Sequence, residues 1–373
     1  MKIAIPKEIV PNEHRVAITP DIVEKLVKSG IDISIESKAG EKADFADSLY
    51  SQAGAVIVSD IQNLFENADI IFKVQKPVFN SIINKHEIEI MKKGAILIGL
   101  LQITSEPELI QMLSQHNITS FALEFIPRIS RAQPMDVLSS QSNISGYKSV
   151  LLAANTIKKL LPMLTTAAGT IIPAKVFILG AGVAGLQAIA TAKRLGAVVQ
   201  AFDVRPAVKQ EVESLGAKFV GLTIEEATAT TGYAKEVSQE HQKKEKELIS
   251  QYIKDADIAI TTALIPGKKS PILITKEMVE TMKSGSVIVD LAAEQGGNCE
   301  LTKANEQVIY NNVTILGPVN VPSMMSHHAS QMYSRNIFNF LNLIIKDGKI
   351  NIDFNDIIIK QTCITHQGEI LKK

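Results

Sequence analysis

Short apolar runs rich in β-branched residues alternate with segments of helical period along the whole chain, the pattern of a parallel α/β fold. In the first third the predicted strands are residues 2–6, 31–36, 55–59, 70–74, 95–100 and 121–125; in the middle they are 175–179, 198–203, 219–222, 258–262, 287–291 and 313–316. These runs are apolar without alternation, as strands covered on both faces should be. Residues 139–159 begin polar and turn helical, and residues 323–346 keep a helical period through Met332, Ile337, Phe338, Phe340 and Leu341. Two long helices at these places would carry the chain out of a first domain and back into it, with residues 350–354 and 357–359 as closing strands. The expected organisation is a discontinuous first domain, residues 1–137 and 319–373, around a second at 138–318.

An internal echo supports two halves of common architecture. Ala68-Asp69-Ile70 opens one predicted strand and Ala256-Asp257-Ile258 another. Each is followed, some twenty residues on, by a matched turn and strand, Met91-Lys92-Lys93-Gly94-Ala95-Ile96 and Met282-Lys283-Ser284-Gly285-Ser286-Val287. Glycine after a helix serves the same left-handed cap in any α/β unit, so the echo speaks first for architecture.

Composition narrows the function. The chain has 373 residues, 46% of them hydrophobic, enough for two domains with sizeable cores. Lys+Arg and Asp+Glu balance at 39 each, which removes the general electrostatic case for nucleic acid. Cys299 and Cys363 form no C-x-x-C pair and no metal-ligand spacing, as suits a reducing compartment; no metal site is expected. The N-terminal residues 1–10 hold no continuous apolar run, and residues 150–172 are interrupted by Lys158, Lys159 and Pro162. A bilayer needs about 20 mostly apolar residues in a row, so the chain reads as soluble and cytoplasmic, with no membrane span.

The strongest chemical signal is Gly180-Ala181-Gly182-Val183-Ala184-Gly185, set between a strand and a helix start. Gly180 permits the tight turn, Gly182 the close approach of backbone to a pyrophosphate, and Gly185 the packing of helix on strand. The phosphate would then sit on free N–H groups at the helix N-terminus. A lone glycine pattern is weak evidence. Here a second strand ends in Asp203, 18 residues after Gly185, where a carboxylate accepts from a ribose 2′-OH and repels a 2′-phosphate. That favours NAD over NADP. Past Val204, Arg205 leaves the other reading open, because an arginine there accommodates the phosphate.

A second polar segment follows the predicted strand 121–125. Within residues 126–143, Arg128 offers a planar donor fork, Gln133 an amide and Asp136 an acceptor. Two readings stand: a ligand-binding loop beyond the carboxyl end of a strand, or a polar loop whose Asp and Ser cap the next helix.

At these residues the chain resembles the alanine dehydrogenase/transhydrogenase superfamily. Lys2-Ile3-Ala4-Ile5-Pro6-Lys7-Glu8 and Arg15-Val16-Ala17-Ile18-Thr19-Pro20 carry the broad resemblance. Pro127-Arg128-Ile129-Ser130-Arg131-Ala132-Gln133, Met135-Asp136-Val137-Leu138-Ser139-Ser140-Gln141-Ser142-Asn143, residues 180–197, Ala263-Leu264-Ile265-Pro266-Gly267-Lys268 and Gly296-Gly297-Asn298-Cys299 narrow it to the NAD(H)-binding soluble component of bacterial proton-translocating transhydrogenases. The resemblance implies two Rossmann-like doubly wound parallel-sheet domains joined by long helices. It also implies hydride exchange between NAD(H) on this chain and NADP(H) on a partner chain, membrane-embedded partner subunits, a homodimer, and a peripheral place on the inner membrane through those partners. By position it assigns Arg128, Gln133, Asp136 and Ser139 to the nicotinamide and its ribose, Gly180, Gly182 and Gly185 to the pyrophosphate and Asp203 to the adenosine ribose, with Ala181, Val183, Val204 and Arg205 also expected at the cofactor. Ala263 and Leu264 would line the nucleotide. Thr230-Thr231-Gly232-Tyr233-Ala234-Lys235-Glu236 would be a mobile loop in which Gly232 and Tyr233 close over it. Pro134 departs from the pattern, where a small polar residue stands, and stiffens the step between Gln133 and Asp136.

Within the superfamily the rival activity is alanine dehydrogenase, which uses a lysine and a histidine of the first domain to bind an oxo acid and move its proton. Here the counterparts are Gln75 and Gln102, and neither glutamine titrates. Lys73 and Arg15 remain as carboxylate binders. His327-His328, the single histidine pair, falls at a helix start without metal spacing. Hydride transfer between two nicotinamides moves no proton and needs alignment rather than an acid–base pair. One dinucleotide fingerprint is present, so a second nucleotide must arrive on another chain. A non-enzymatic NAD(H) sensor is the third reading.

Overall fold

The computed structural model describes residues 1–221, 239–264, 268–346 and 348–372. In chain order the first stretch gives β1 (Lys2–Ile5), α1 (Pro20–Lys28), β2 (Asp32–Glu36), α2 (Asp47–Gln52), β3 (Val56–Val58), α3 (Ile61–Glu66), β4 (Ile70–Phe72), β5 (Ile96–Gly99), α4 (Pro107–Gln115) and β6 (Thr119–Ala122). The long helix α5 (Val137–Thr156) leads to a hairpin, β7 (Leu164–Thr166) with β8 (Gly169–Ile171). Then come β9 (Lys175–Leu179), α6 (Val183–Arg194), β10 (Val198–Phe202), α7 (Lys209–Ser214), β11 (Lys218–Val220), α8 (Gln239–Ile253), β12 (Ile258–Thr261), α9 (Lys276–Thr281), β13 (Val287–Asp290), β14 (Gln307–Tyr310) and β15 (Val313–Leu316). A second long helix, α10 (Ser326–Ile344), precedes α11 (Ile357–Thr362), β16 (Cys363–His366) and β17 (Glu369–Ile370).

The chain divides into two compact units: Met1–Gln141 with Pro322–Lys373, and Ser142–Val321. The first holds an eight-stranded sheet in the order β17-β16-β6-β5-β4-β1-β2-β3, parallel from β6 to β3 and antiparallel at β16 and β17. The second holds a seven-stranded sheet in the order β11-β10-β9-β12-β13-β15-β14, parallel except for β14. Each is a doubly wound sheet, and in each the strand order reverses beside the first strand, between β1 and β4 and between β9 and β12. The carboxyl ends of the strands at that reversal are where such folds bind ligands.

The unbroken apolar runs have their cause in the packing. In the first unit Ile70, Phe72, Ile96 and Ile98 enter one core and Ile71 and Leu97 the other. In the second, Val176, Ile178, Ile258 and Ile260 face one way and Phe177, Leu179 and Ala259 the other. Each large side chain among them contributes roughly 1.5–3 kcal/mol by burial, and two covered faces leave no position for a polar alternate.

The internal echo is structural. Asp69 accepts from Lys2 N–H at 2.9 Å and pairs with Lys92 at 2.7 Å; Asp257 accepts from Lys175 N–H at 2.9 Å and pairs with Lys159 at 2.6 Å and Lys283 at 3.7 Å. Gly94 and Gly285 both take left-handed φ, +83° and +82°, and both donate backbone N–H to an asparagine carbonyl, Asn117 and Asn312.

Several sequence expectations shift. The apolar run predicts one strand over residues 121–125; the strand is Thr119–Ala122, and Leu123–Phe125 turn into a 3-10 helix. Residues 357–359 form not a strand but the start of α11, because Asp356 caps the N–H of Ile358 while Ile358 and Ile359 point into the core. Of residues 350–354 only Ile350 pairs, in a short hairpin with Ile345–Lys346. The hairpin β7–β8, the edge strand β14 and the closing strands β16 and β17 carry no continuous apolar run, so the pattern does not announce them. Among the described residues, no helix is long and apolar enough to cross a membrane.

Candidate functional site

In the second unit β9 ends at Leu179, whose neighbours in register are Phe202 of β10 and Thr261 of β12. The chain turns there through Gly180 at φ +102°, where a Cβ would meet Thr262 Oγ1 at 2.5 Å. A Cβ on Gly185 would stand 1.8 Å from the Gly180 carbonyl oxygen, so helix α6 starts directly against the turn. Gly182 differs: a Cβ there meets nothing within 4 Å. Two glycines are thus required by protein packing, while the middle one opens onto free space at the N-cap of α6. The first N–H groups of a helix have no intrahelical partner, and Leu186 is the first in α6 to donate back, to Gly182 at 2.8 Å. Donors, dipole and open space together fit a pyrophosphate, so the residues present suit a dinucleotide.

Asp203 is buried and its carboxylate is fully engaged. Oδ2 accepts from Ala181 N–H at 2.8 Å and Arg205 Nη2 at 3.0 Å; Oδ1 accepts from Arg205 N–H and Nε, both at 2.9 Å. Hydrogen bonding to Asp203, together with the carboxylate's charge, holds the half-exposed Arg205 above its ordinary range. Val204 beside it is exposed.

The far wall of the turn is set by two residues that sequence reasoning did not single out for a role. Asp290, at the end of β13, is fully buried and accepts from Thr261 Oγ1, Ala292 N–H, Asn298 N–H, Cys299 N–H and Thr302 Oγ1. Asn298, so placed, accepts from Ala263 N–H at 3.0 Å and donates to the Ala263 carbonyl at 2.9 Å and the Pro271 carbonyl at 2.8 Å. Ala263 is thereby fixed beside exposed Leu264. The available signal was a carboxylate ending an otherwise apolar strand, as at Asp203. Cys299 is buried, and burial pushes its thiol up to about 11. Gly232 and Tyr233 lie outside the described residues, as do Ile265, Pro266 and Gly267.

The equivalent end of the first unit is filled with charge. Lys73, fully buried after β4, contacts Glu87 at 3.0 Å and Glu8 at 3.4 Å. Glu8 also accepts from Val74 N–H at 2.5 Å. Glu13 takes Arg15 in a fork, Oε1 to Nε at 2.8 Å and Oε2 to Nη2 at 2.6 Å, and accepts from Gln75 Nε2 at 2.8 Å. Gln102 donates to Gln75 Oε1 at 3.2 Å, and Arg15 reaches Gln141 at 2.9 Å. Lys73 and Arg15, open as carboxylate binders from sequence, are both occupied by the protein's own carboxylates. Burial pushes Glu8 up to about 7, against the nearby Lys73 charge. Burial also acts upward on Glu13, but the Arg15 charge and the bonds from Arg15 and Gln75 outweigh it and hold Glu13 at about 2.

The segment after β6 is anchored in three places. Arg131 forms a fork on Asp356 at 2.7 and 2.8 Å. The Pro134 carbonyl accepts from Asn336 at 2.7 Å and Asn339 at 3.2 Å of α10. Asp136 accepts from Ser139 N–H at 2.9 Å and Ser139 Oγ at 2.6 Å, the geometry of a helix cap on α5. Arg128 and Gln133 are exposed, and among the described residues neither side chain has a hydrogen-bond partner. Pro134 therefore sits in a 3-10 turn tied to α10, with Gln133 facing outward beside it.

A doubly wound sheet with a glycine turn at its switch point, an acidic residue ending the next strand and a helix N-terminus on the turn defines a dinucleotide-binding protein. The chain matches the alanine dehydrogenase/PNT N-terminal domain over residues 4–145 and the alanine dehydrogenase/PNT C-terminal domain over residues 149–373, and it belongs to that family. It is 46% identical over 373 residues to "NAD(P) transhydrogenase subunit alpha" of Haemophilus influenzae, covering 99% of this chain and 71% of that one. A solved structure of the transhydrogenase from Sinorhizobium meliloti superposes with TM-score 0.85 at 41% identity, over 99% of this chain and 98% of that one. "Alanine dehydrogenase 2" of Staphylococcus aureus is 34% identical over 305 residues, 81% of this chain and 74% of that one.

Proposed function

We propose that this chain is the NAD(H)-binding component of a proton-translocating transhydrogenase, exchanging hydride between NAD(H) held here and NADP(H) held by a partner chain. The observation that carries the reading is the contrast between the two switch points. The second unit offers a glycine cradle on a helix N-terminus. In the first unit, where an oxo acid would need a cation and a titrating pair, Arg15 is held by Glu13, Lys73 by Glu8 and Glu87, and Gln75 is bonded to Gln102. Reduction of an oxo acid consumes a proton, and neither glutamine delivers one.

Bound NADH supplies a hydride at its nicotinamide ring. The chain's own residues bind and orient: N–H groups of residues 182–185 hold the pyrophosphate, Asp203 the adenosine ribose, and Ala263 with Leu264 the wall fixed by Asn298. Arg128 and Gln133 have uncommitted donors to orient the nicotinamide end, as the family resemblance implies, with Asp136 and Ser139 fixing the start of α5. On the same ground the resemblance assigns Gly232 and Tyr233 to nucleotide binding. The partners are an NADP(H)-binding chain and transmembrane subunits, which place this chain on the cytoplasmic face of the inner membrane. The chain pairs with a second copy. Supporting that pairing, Leu160, Met163, Leu164, Ile171 and Ile172, on and beside the β7–β8 hairpin, are all at least 43% exposed, an apolar group that a contact would cover.

The test mixes the chain with the family's NADP(H)-binding domain and follows hydride exchange with a nicotinamide analogue; alanine with NAD⁺ is tested separately. Exchange in the mixture and none with alanine is the expected result. Gln133→Asn lowers exchange while leaving NADH affinity nearly unchanged. Alanine oxidation at an enzyme-like rate overturns the reading, and NADH binding without exchange leaves a sensor.

A further inference from the structure

The Asp203 carboxylate has about four lone-pair directions, and all four are taken: by Ala181 N–H, Arg205 N–H, Arg205 Nε and Arg205 Nη2. Two of these donors belong to the guanidinium fork, in the planar geometry that matches a carboxylate. The two partners differ in freedom. The Asp203 side chain is 6% exposed, pinned to the turn through Ala181, whereas the Arg205 side chain is 56% exposed. A ribose 2′-hydroxyl can use Asp203 as acceptor only where an Arg205 nitrogen now donates.

We propose that Arg205 is a specificity-determining latch: its fork competes with the adenosine ribose of NAD(H) for Asp203, and the same guanidinium supplies the cation that offsets the repulsion between Asp203 and a 2′-phosphate. The latch rests on the nucleotide site proposed above. It makes the selectivity of the turn the product of two residues rather than of the carboxylate alone. Losing the fork frees Asp203 for the hydroxyl and strengthens NADH. Losing the charge leaves the carboxylate bare before a phosphate and weakens NADPH.

The experiment titrates NADH and NADPH into the full chain and into its Arg205→Ala and Arg205→Lys variants, with ADP and 2′-deoxy-ADP as probes of the hydroxyl alone. Arg205→Ala should tighten NADH by about three- to tenfold, the net worth of one typical hydrogen bond, and weaken NADPH. Arg205→Lys, which keeps the charge without the fork, should tighten NADH while retaining NADPH. Removing the 2′-hydroxyl from ADP should cost little in the parent chain and more in Arg205→Ala. NADH weakened or unchanged in Arg205→Ala, in a variant whose melting is unaltered, overturns the latch. A parent chain that binds neither NADH nor ADP removes the nucleotide site itself, a different failure seen before any variant is compared.

Discussion

The two units begin from one frame and finish it differently. Asp69 and Asp257 each cap the opening N–H of a first strand, each pairs with a lysine 23 or 26 residues on, and Gly94 and Gly285 make the same left-handed turn into the next strand. At the carboxyl ends the likeness stops. Beyond β9 the chain places glycines, and a Cβ at Gly182 would meet only open space. Beyond β1 and β4 it places Glu8, Glu13, Arg15, Lys73 and Gln75, all buried and bonded to one another or to Glu87. A switch point becomes a ligand site only when the chain leaves it unfilled.

The largest effect should come from breaking the filled end. Glu13→Ala leaves Arg15 buried beside Gln141 without its carboxylate, and the loss of one partner of a buried pair costs about 3–5 kcal/mol. Thermal melting should show the first unit strongly destabilised, with NADH affinity of the folded fraction unchanged. A drop under about 1 kcal/mol, the range of surface pairs, would mean that Arg15 finds water or another partner.

Gly182→Ala addresses the open end. It adds a methyl where the protein itself has room, so melting should hold while NADH weakens by about five- to 150-fold, the equivalent of the roughly 1–3 kcal/mol that crowding costs. Undiminished affinity in isothermal titration would place the phosphate elsewhere.

The filled end also predicts a pH dependence. Glu8 stands at about 7 when folded against an ordinary 4.5, so the folded chain holds that proton more tightly. Its contribution to stability is whole below about pH 4.5 and is lost as pH rises through about 7. Glu13, at about 2 when folded, contributes above about 4.5 and loses that as pH falls toward 2. Melting temperature should therefore decline from about pH 5 to about pH 8, and Glu8→Gln should flatten the decline. A slope unchanged in the variant assigns it to another group.

The smallest effect sharpens the shared frame. Asp69→Asn and Asp257→Asn should each cost about 1 kcal/mol, the usual worth of one hydrogen bond, and by similar amounts. Unequal losses in denaturant melts would show that the two caps are alike in geometry alone.

What is legible in the sequence follows from range. The central strands are readable because both faces are apolar, and the glycine turn because its parts lie within six residues on a strand–helix junction. Residues 357–359 read as strand from three isoleucines in a row, and only the cap by Asp356 makes them helix. The β7–β8 hairpin is exposed along its length, so no burial pattern marks it. Of the two readings of residues 126–143, the cap is formed, by Asp136 and Ser139, while Arg128 and Gln133 stay outward. The filled end of the first unit is not legible, since it joins residues 8, 13, 15, 73, 75, 87 and 141 through folding alone. Nor is the fork on Asp203: two-residue spacing says that Arg205 is near, not that it takes both oxygens.

Asp290 has a consequence for working conditions. Its carboxylate is solvated by five neutral N–H and O–H dipoles, and none of these donors carries a charge. Mobile ions screen exposed charge pairs over about 10 Å at roughly 0.1 M salt but act little on buried dipoles. The exposed pair of Lys28 and Glu24 should loosen as ionic strength rises, while Asn298 and the Ala263 backbone it grips should keep their shape from dilute buffer to brine.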